Sequence, residues 1–246
     1  MFSLAKLLPS ACIICESFQD DLVCLACLKK LSNEALWNYE CCRQCGICLT
    51  ADELQAGRCD ECRAEPPYFD ESYCLASYDS CLQKALHDLK YTKRISVAHG
   101  LARVWNDILS SRLNYLQIDF ALPVPLSQTK LCERGFNQSW EILRRIQIPS
   151  TIQKLAFALQ RHHASQDLAR IGSSSRTQMI KGMFYVNPRY QRLIERRNVV
   201  IFDDVMTSKA TLNEIAYVLK DNGASRITNW VLLRTPRYKI KRLQYV

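Results

Sequence analysis

Ten of the thirteen cysteines lie in the first 62 residues, and eight of these fall into four C-x-x-C pairs. The order is Cys12-x2-Cys15-x8-Cys24-x2-Cys27, then Cys42-x2-Cys45-x13-Cys59-x2-Cys62, so one small motif is written twice in tandem. Two thiolates two residues apart can turn onto one ion, and a second pair completes a tetrahedral site with Zn–S bonds of about 2.3 Å. The spacing therefore predicts two structural Zn²⁺ ions, with Cys41 and Cys48 as surplus thiols that could substitute in the second set. A saturated thiolate site leaves no open position for water, which argues against catalytic zinc. Residues 1–11 hold one lysine and a short apolar patch, and no run elsewhere approaches a membrane span. With no export signal, paired cysteines favour metal over disulfides, and the expected location is cytoplasmic with no membrane insertion. Cys74, Cys81 and Cys132 read as ordinary buried thiols.

The 246 residues, 48% hydrophobic and 23% charged, are enough for one full core and a small second unit. Charge is unevenly divided. Residues 1–67 carry 6 Lys+Arg against 10 Asp+Glu, and residues 68–246 carry 27 against 14. Filled Cys₄ sites would make the first part more negative still, so an acidic cap precedes a basic body that suits an anionic partner. Ala64-Glu65-Pro66-Pro67 reads as a stiff linker, because neither proline fits a helix interior or a central strand. We divide the chain there, into residues 1–67 and 68–246.

Past the linker, strand and helix signals alternate. Strand character at "SYCLASYDS" is followed by Leu82, Ala85, Leu86 and Leu89 at helical spacing, and by further helix from Val97 to Leu113. A strand at residues 118–122 stops at Pro123 and Pro125, and "NQSWEILRRI" is a helix that Asn137 can cap. Residues 161–182 hold little apolar content and read as a mobile loop. "NVVIF", a helix from Leu212 to about Asn222 closed by Gly223, and "RITNWVLL" complete a β-α-β unit, which predicts an α/β fold on a mostly parallel sheet.

The stretch "VVIFDDVMTSKATL", residues 199–212, puts Asp203 and Asp204 at the end of a buried strand, where ligands bind in open α/β sheets. Thr211 and Glu214 are spaced as a capping box, so the loop leads into a helix N-terminus that favours an anion. Carboxylates repel phosphate and must address another part of the same ligand, such as a diol or a bound Mg²⁺. A ribose 5-phosphate unit meets both demands. A Walker B strand looks similar, but no glycine in the chain is followed by lysine, so the loop it requires is absent; the G-x-G-x-x-G of a dinucleotide fold is absent too.

This stretch resembles the phosphoribosyl pyrophosphate (PRPP) motif of type I phosphoribosyltransferases. Together with "ALHDLKY", "LPVPLSQTKLCERGFNQS", the segment from Gln166 to Phe184 and the cysteine pairs, nearly the whole chain resembles the ComF (ComFC/GntX-like) family. The resemblance implies a double zinc ribbon ahead of a phosphoribosyltransferase-like domain, in proteins of natural transformation that handle incoming single-stranded DNA. By position, Asp203 and Asp204 would take the ribose hydroxyls as the catalytic acids, and Thr207, Ser208, Lys209, Ala210 and Thr211 the 5-phosphate, with Mg²⁺ accompanying PRPP. Where the family loop has glycine this chain has Lys209, which would strain a position of positive φ or, instead, supply a cation to the phosphate. Arg134 and Gln138 in "ERGFNQS", Lys90 in "LKY", and Gln166 and Arg176 are the further pyrophosphate or DNA candidates. Thr129, Lys130, Leu131 and Cys132 replace residues that are more often arginine in the family. His162 and His163 diverge on any regular element and suggest no metal site. The tail residues Tyr238, Lys239, Lys241, Arg242 and Tyr245 could stack on and pair with single-stranded nucleic acid.

Three readings follow. The first is a protein of DNA uptake that binds single-stranded DNA and PRPP, its ribbons docking a protein partner of the uptake machinery. The second is an active phosphoribosyltransferase of nucleotide metabolism or salvage. The third makes the ribbons the DNA readers, which their negative charge opposes.

Overall fold

A computed structural model of the chain describes residues 10–113, 116–162 and 180–237. The cysteine-rich segment contains β1 (Ser10–Ala11), β2 (Phe18–Gln19), α1 (Leu25–Asn33) and α2 (Asp60–Ala64). The body continues with β3 (Glu71–Ser77), α3 (Leu82–Tyr91), α4 (Ser96–Trp105), a π-helical turn Asn106–Ser110, α5 (Ser111–Leu113), β4 (Phe120–Pro123), α6 (Gln128–Arg134), α7 (Gln138–Leu143) and β5 (Gln153–Lys154). It ends with β6 (Leu159–Arg161), β7 (Phe184–Val186), α8 (Gln191–Ile194), β8 (Asn198–Met206), α9 (Ala210–Asp221) and β9 (Arg226–Arg234).

The predicted α/β architecture is present: β3, β9, β8, β4 and β5 form a five-stranded sheet in that order, and all four pairings are parallel. Parallel strands need crossovers, and the crossovers here lay helices on both faces. The alternation inside β8 shows how the sequence assigns those faces. Val200 and Phe202 pack with α3, α4 and α7, whereas Val199 and Ile201 pack with α9. A separate antiparallel pair, β6 with β7, lies beyond β5 in the chain.

Each cysteine repeat docks on the body through a glycine. A Cβ on Gly100 of α4 would lie 2.6 Å from Ile13 Cδ1, and one on Gly46 would lie 2.4 Å from Cys74 Sγ. Only a residue without a side chain permits either approach. The second repeat also covers the outer edge of β3, where the Ser72 amide donates to the Arg43 carbonyl at 3.0 Å.

Several local expectations need correction. The strand expected at residues 199–202 runs on to Met206, because Asp203 and Val205 stay in register with Val231 and Leu233 of β9. Helix α9 starts at Ala210, not Leu212, and the Thr211–Glu214 capping box is not formed. Glu214 instead accepts a hydrogen bond from the Gly182 amide at 2.6 Å. Lys209 has φ −64°, so its position needs no glycine and carries no backbone strain. Cys132 is exposed and Cys81 half-buried, leaving Cys74 as the buried one of the three. Of the loop read at 161–182, residues 163–179 lie outside the described residues, and so do Gln166, Arg176, His163 and the tail from Tyr238. No helix among the described residues is long and apolar enough to cross a membrane.

Candidate functional site

The two cysteine repeats have the same local geometry. Cys12 N donates to Ser17 O at 2.9 Å and Glu16 N to Cys12 O at 2.9 Å; in the second repeat, Cys42 N donates to Ile47 O and Gly46 N to Cys42 O, each at 2.8 Å. The residue after the second cysteine is left-handed in both, Glu16 at φ 63° and Gly46 at φ 67°. Cys24 and Cys59 then occupy the N-cap positions of α1 and α2, which turns the remaining pair back toward the knuckle. Cys12, Cys15, Cys24 and Cys27 converge so that their sulfurs lie within 4.8 Å of one another, and Cys42, Cys45, Cys59 and Cys62 do the same. The sulfurs of Cys15 and Cys24 are 3.7 Å apart and those of Cys45 and Cys59 3.6 Å. A tetrahedron with Zn–S of about 2.3 Å has edges of about 3.8 Å, so these groups fit zinc and could hold two structural ions. Cys41 and Cys48 belong to neither group and face each other, Sγ to Sγ, at 3.6 Å.

Asp203 and Asp204 lie inside the sheet's C-terminal margin and are buried, at 9% and 4% exposure. Asp204 follows Val200 and Phe202 in the strand alternation and so meets α3 and α7. Its Oδ2 is ion-paired with Lys90 Nζ at the end of α3, and its Oδ1 accepts from Gln138 Nε2 at 3.0 Å. Gln138 is held in turn by Arg134 Nη1, 2.6 Å from its Oε1, and the Arg134 guanidinium lies over the Tyr91 ring at 5.7 Å. Asp203 Oδ1 accepts from the Asp204 amide at 2.9 Å and from Ser139 Oγ at 3.4 Å. The two acids are driven apart in acidity. Burial, and then the neighbouring charge of Asp204, push Asp203 well above the usual carboxylate range. Burial acts the same way on Asp204, but the Lys90 ammonium and the Gln138 hydrogen bond outweigh it and hold Asp204 below that range. Asp203 therefore holds a proton to higher pH than Asp204 does.

Just beyond them, residues 207–211 lead into α9. Lys209 occupies the N-cap position without any side-chain cap, so the first-turn amides of a twelve-residue helix stay available to an anion. A cavity of about 360 Å³ opens beside this turn, lined among others by Thr207, Ser208, Lys209, Asn213 and Arg237. Lys209 reaches away from the turn to the second cysteine repeat, with Nζ 3.3 Å from Glu61 Oε2 and 3.6 Å from Cys62 Sγ. Arg234 ties the same two parts together: its Nε donates to Cys45 O at 2.8 Å, and its Nη1 to Met206 O at 3.0 Å and Thr207 O at 2.8 Å.

Of the residues singled out in the sequence, Lys90, Arg134, Gln138 and Asp204 form one continuous hydrogen-bonded chain with Asp203 beside it, whereas residues 207–210 line a cavity of their own against the second cysteine repeat. Three participants were not singled out in the sequence: Ser139, although it closes "ERGFNQS", Arg234 and Glu61. Arg234 was detectable as a charge closing an apolar run, "WVLLR", since a buried guanidinium needs several acceptors. Glu61 sits between two cysteines of the second repeat and has no signal of its own.

These features define a class: a parallel-sheet α/β body with a paired-acid site at its C-terminal margin, fused to two Cys₄ ribbons. No family model matches the chain. It is 31% identical over 216 residues to DNA utilization protein YhgH of Escherichia coli O157:H7, covering 87% of this chain and 90% of that protein. It is 26% identical over 197 residues to Competence protein F of Haemophilus influenzae, covering 77% of this chain and 84% of that protein. Among solved structures, a hypoxanthine phosphoribosyltransferase from Staphylococcus aureus is similar with a TM-score of 0.34 and 13% identity, over 57% of this chain and 64% of that one. The chain belongs to the ComF family of DNA utilization and competence proteins.

Proposed function

We propose that this protein handles single-stranded DNA during uptake in the cytoplasm and binds PRPP, or a related ribose 5-phosphate compound, at the acid pair and the turn before α9. The observation that carries the reading is the buried acid pair, with Lys90 and Gln138 on Asp204 and an uncapped helix start following it. Adjacent carboxyl groups can meet the two ribose hydroxyls, with Asp204 held in place by Lys90 and Gln138, and the uncapped helix start favours the phosphate next to them. Mg²⁺ bound with PRPP would supply positive charge to its pyrophosphate, and Arg134 and Lys90, next to Asp204 through Gln138 and directly, would be the protein's cations for it. In this reading residues 1–67 are the ribbon unit that docks a protein partner and residues 68–246 the ligand-binding body.

DNA binding is assigned to the body because its basic charge lies there. Tyr91, 65% exposed, carries Arg134 on its ring, and Lys93 and Arg94 follow it in the open. An aromatic face beside cations suits a base and its phosphate.

Calorimetry with PRPP and Mg²⁺, with pyrophosphate release measured separately, tests the ligand. Binding should be saturable and should weaken at least tenfold in the Asp203→Asn/Asp204→Asn protein. Pyrophosphate release would identify an active transferase. No binding heat in the wild type would overturn the ligand reading. Affinity for single-stranded DNA should fall by about 0.7 log units per tenfold salt for each phosphate neutralised. That slope should shrink when Lys93 and Arg94 are made neutral, and not when the exposed ribbon lysines Lys29 and Lys30 are.

A further inference from the structure

We propose that Cys41 and Cys48 are an oxidative modification site, a dithiol that closes to a reversible disulfide on meeting a hydroperoxide while both Cys₄ groups keep their metal. The two residues stand opposite each other on antiparallel backbone. The hydrogen bonds on either side, Cys42 N to Ile47 O at 2.8 Å and Leu49 N to Glu40 O at 2.9 Å, belong to the neighbouring pairs. Cys41 and Cys48 are therefore a non-hydrogen-bonded pair, the arrangement that brings facing Cα atoms to about 4.5 Å, inside the range a disulfide spans. Their sulfurs need to approach by roughly 1.5 Å, which side-chain rotation supplies without moving the strands. Neither thiol belongs to a metal group, since the second is completed by Cys42, Cys45, Cys59 and Cys62, and Cys41 Sγ also contacts Leu36 O at 3.6 Å.

Both are reachable. Cys41 lines an open cavity of about 420 Å³ between the second repeat and β3, and Cys48 lines another of about 170 Å³. In a filled Cys₄ group each sulfur would share a lone pair with the metal, whereas this pair belongs to neither group. In the first step, with hydrogen peroxide, one thiolate attacks a peroxide oxygen, the O–O bond breaks, a sulfenic acid forms, and the departing hydroxide takes up the proton that the thiol released, giving one water. In the second the facing thiol displaces the sulfenic hydroxyl, the S–S bond forms, and its proton leaves with that hydroxyl as a second water. The sulfur pair loses two electrons and the peroxide gains them. The new bond closes the hairpin that holds Cys42 and Cys45, bracing the knuckle from outside.

Zinc-loaded full-length protein is treated with hydrogen peroxide in stepwise equivalents, and intact mass, peptide linkage and released zinc are followed together. The expected product is two hydrogens lighter, carries a Cys41–Cys48 linkage, retains its zinc and returns to the starting mass with dithiothreitol. Cys41→Ser and Cys48→Ser proteins should each lose this product and leave a sulfenic acid on the remaining thiol, trapped by dimedone. Linkages that involve the Cys₄ residues, zinc release in step with thiol loss, or thiols unaltered at peroxide levels that oxidise free dithiothreitol would each overturn the proposal.

Discussion

Burial raises the pKa of Asp203, and that sets a sign on how stability responds to pH. Because its folded pKa is raised, the native state holds a proton that the unfolded chain releases above the ordinary aspartate range. Stability from this group is therefore complete below that range and is lost as pH rises toward the folded pKa. Asp204, whose folded pKa is lowered, does the opposite: its contribution is present above the unfolded pKa and is lost as pH falls through the folded one. Urea midpoints measured across a pH series should consequently decline, for the wild type, above the ordinary aspartate range, and Asp203→Asn should flatten that decline while leaving the acid limb set by Asp204. A curve for Asp203→Asn that matches the wild type would mean that Asp203 is ionised in the folded protein. The sequence showed these acids as a pair but placed them at a strand end, since "VVIF" carries the apolar signal and "DDVM" does not. Their burial is decided by Lys90 and Gln138, residues 114 and 66 positions away, and no local pattern reports such a partner.

Helix α7 is short and depends on its start. Asn137 Oδ1 accepts from the amides of Ser139 and Trp140 at 2.9 and 3.3 Å, and its Nδ2 donates to Val124 O at 2.9 Å, fixing the helix to the end of β4. Asn137→Ala should cost about 1–2 kcal/mol of stability in denaturant titration. Because Gln138 and Ser139 are the first helical residues, the same change should weaken PRPP binding, whereas an Asn137→Asp protein, which keeps the cap acceptor, should retain most of it. Elements of this kind were legible: the cap residue, the strand patterns of β3, β8 and β9, and the Leu82–Leu89 helix all follow from local sequence. The start of α9 was not. Thr211 and Glu214 have the spacing of a capping box, but the Gly182 amide, brought up by the β6–β7 pair, claims the Glu214 carboxylate first. The cysteine repeats were the most readable part, since metal-ligand spacing is local and the knuckle geometry is repeated with the same left-handed residue.

At the scale of the molecule the two ribbons are not equivalent. Among the described residues only the second touches the turn at residues 207–211, through Arg234 on Cys45 and Thr207 and through Lys209 on Glu61 and Cys62. Removing a ligand from each should separate them: Cys59→Ser should lower PRPP affinity together with zinc content, and Cys15→Ser should lower zinc content with PRPP affinity nearly intact. Equal losses from both changes would show that the ribbons act on the body only as a whole. The order of strands in the sheet has a different consequence. Strand β9, late in the chain, lies between β3 and β8, so the first strand of the body has no partner in the sheet until residues 226–234 arrive. During synthesis the ribbons and β3 emerge first and must wait, with one flank of β3 covered by Arg43 and the other open. A ribosome that stalls before residue 226 would leave a polypeptide with its acid pair made but its sheet in two pieces, and such a fragment offers the cell's proteases an unpaired strand edge at a point where the finished protein offers none.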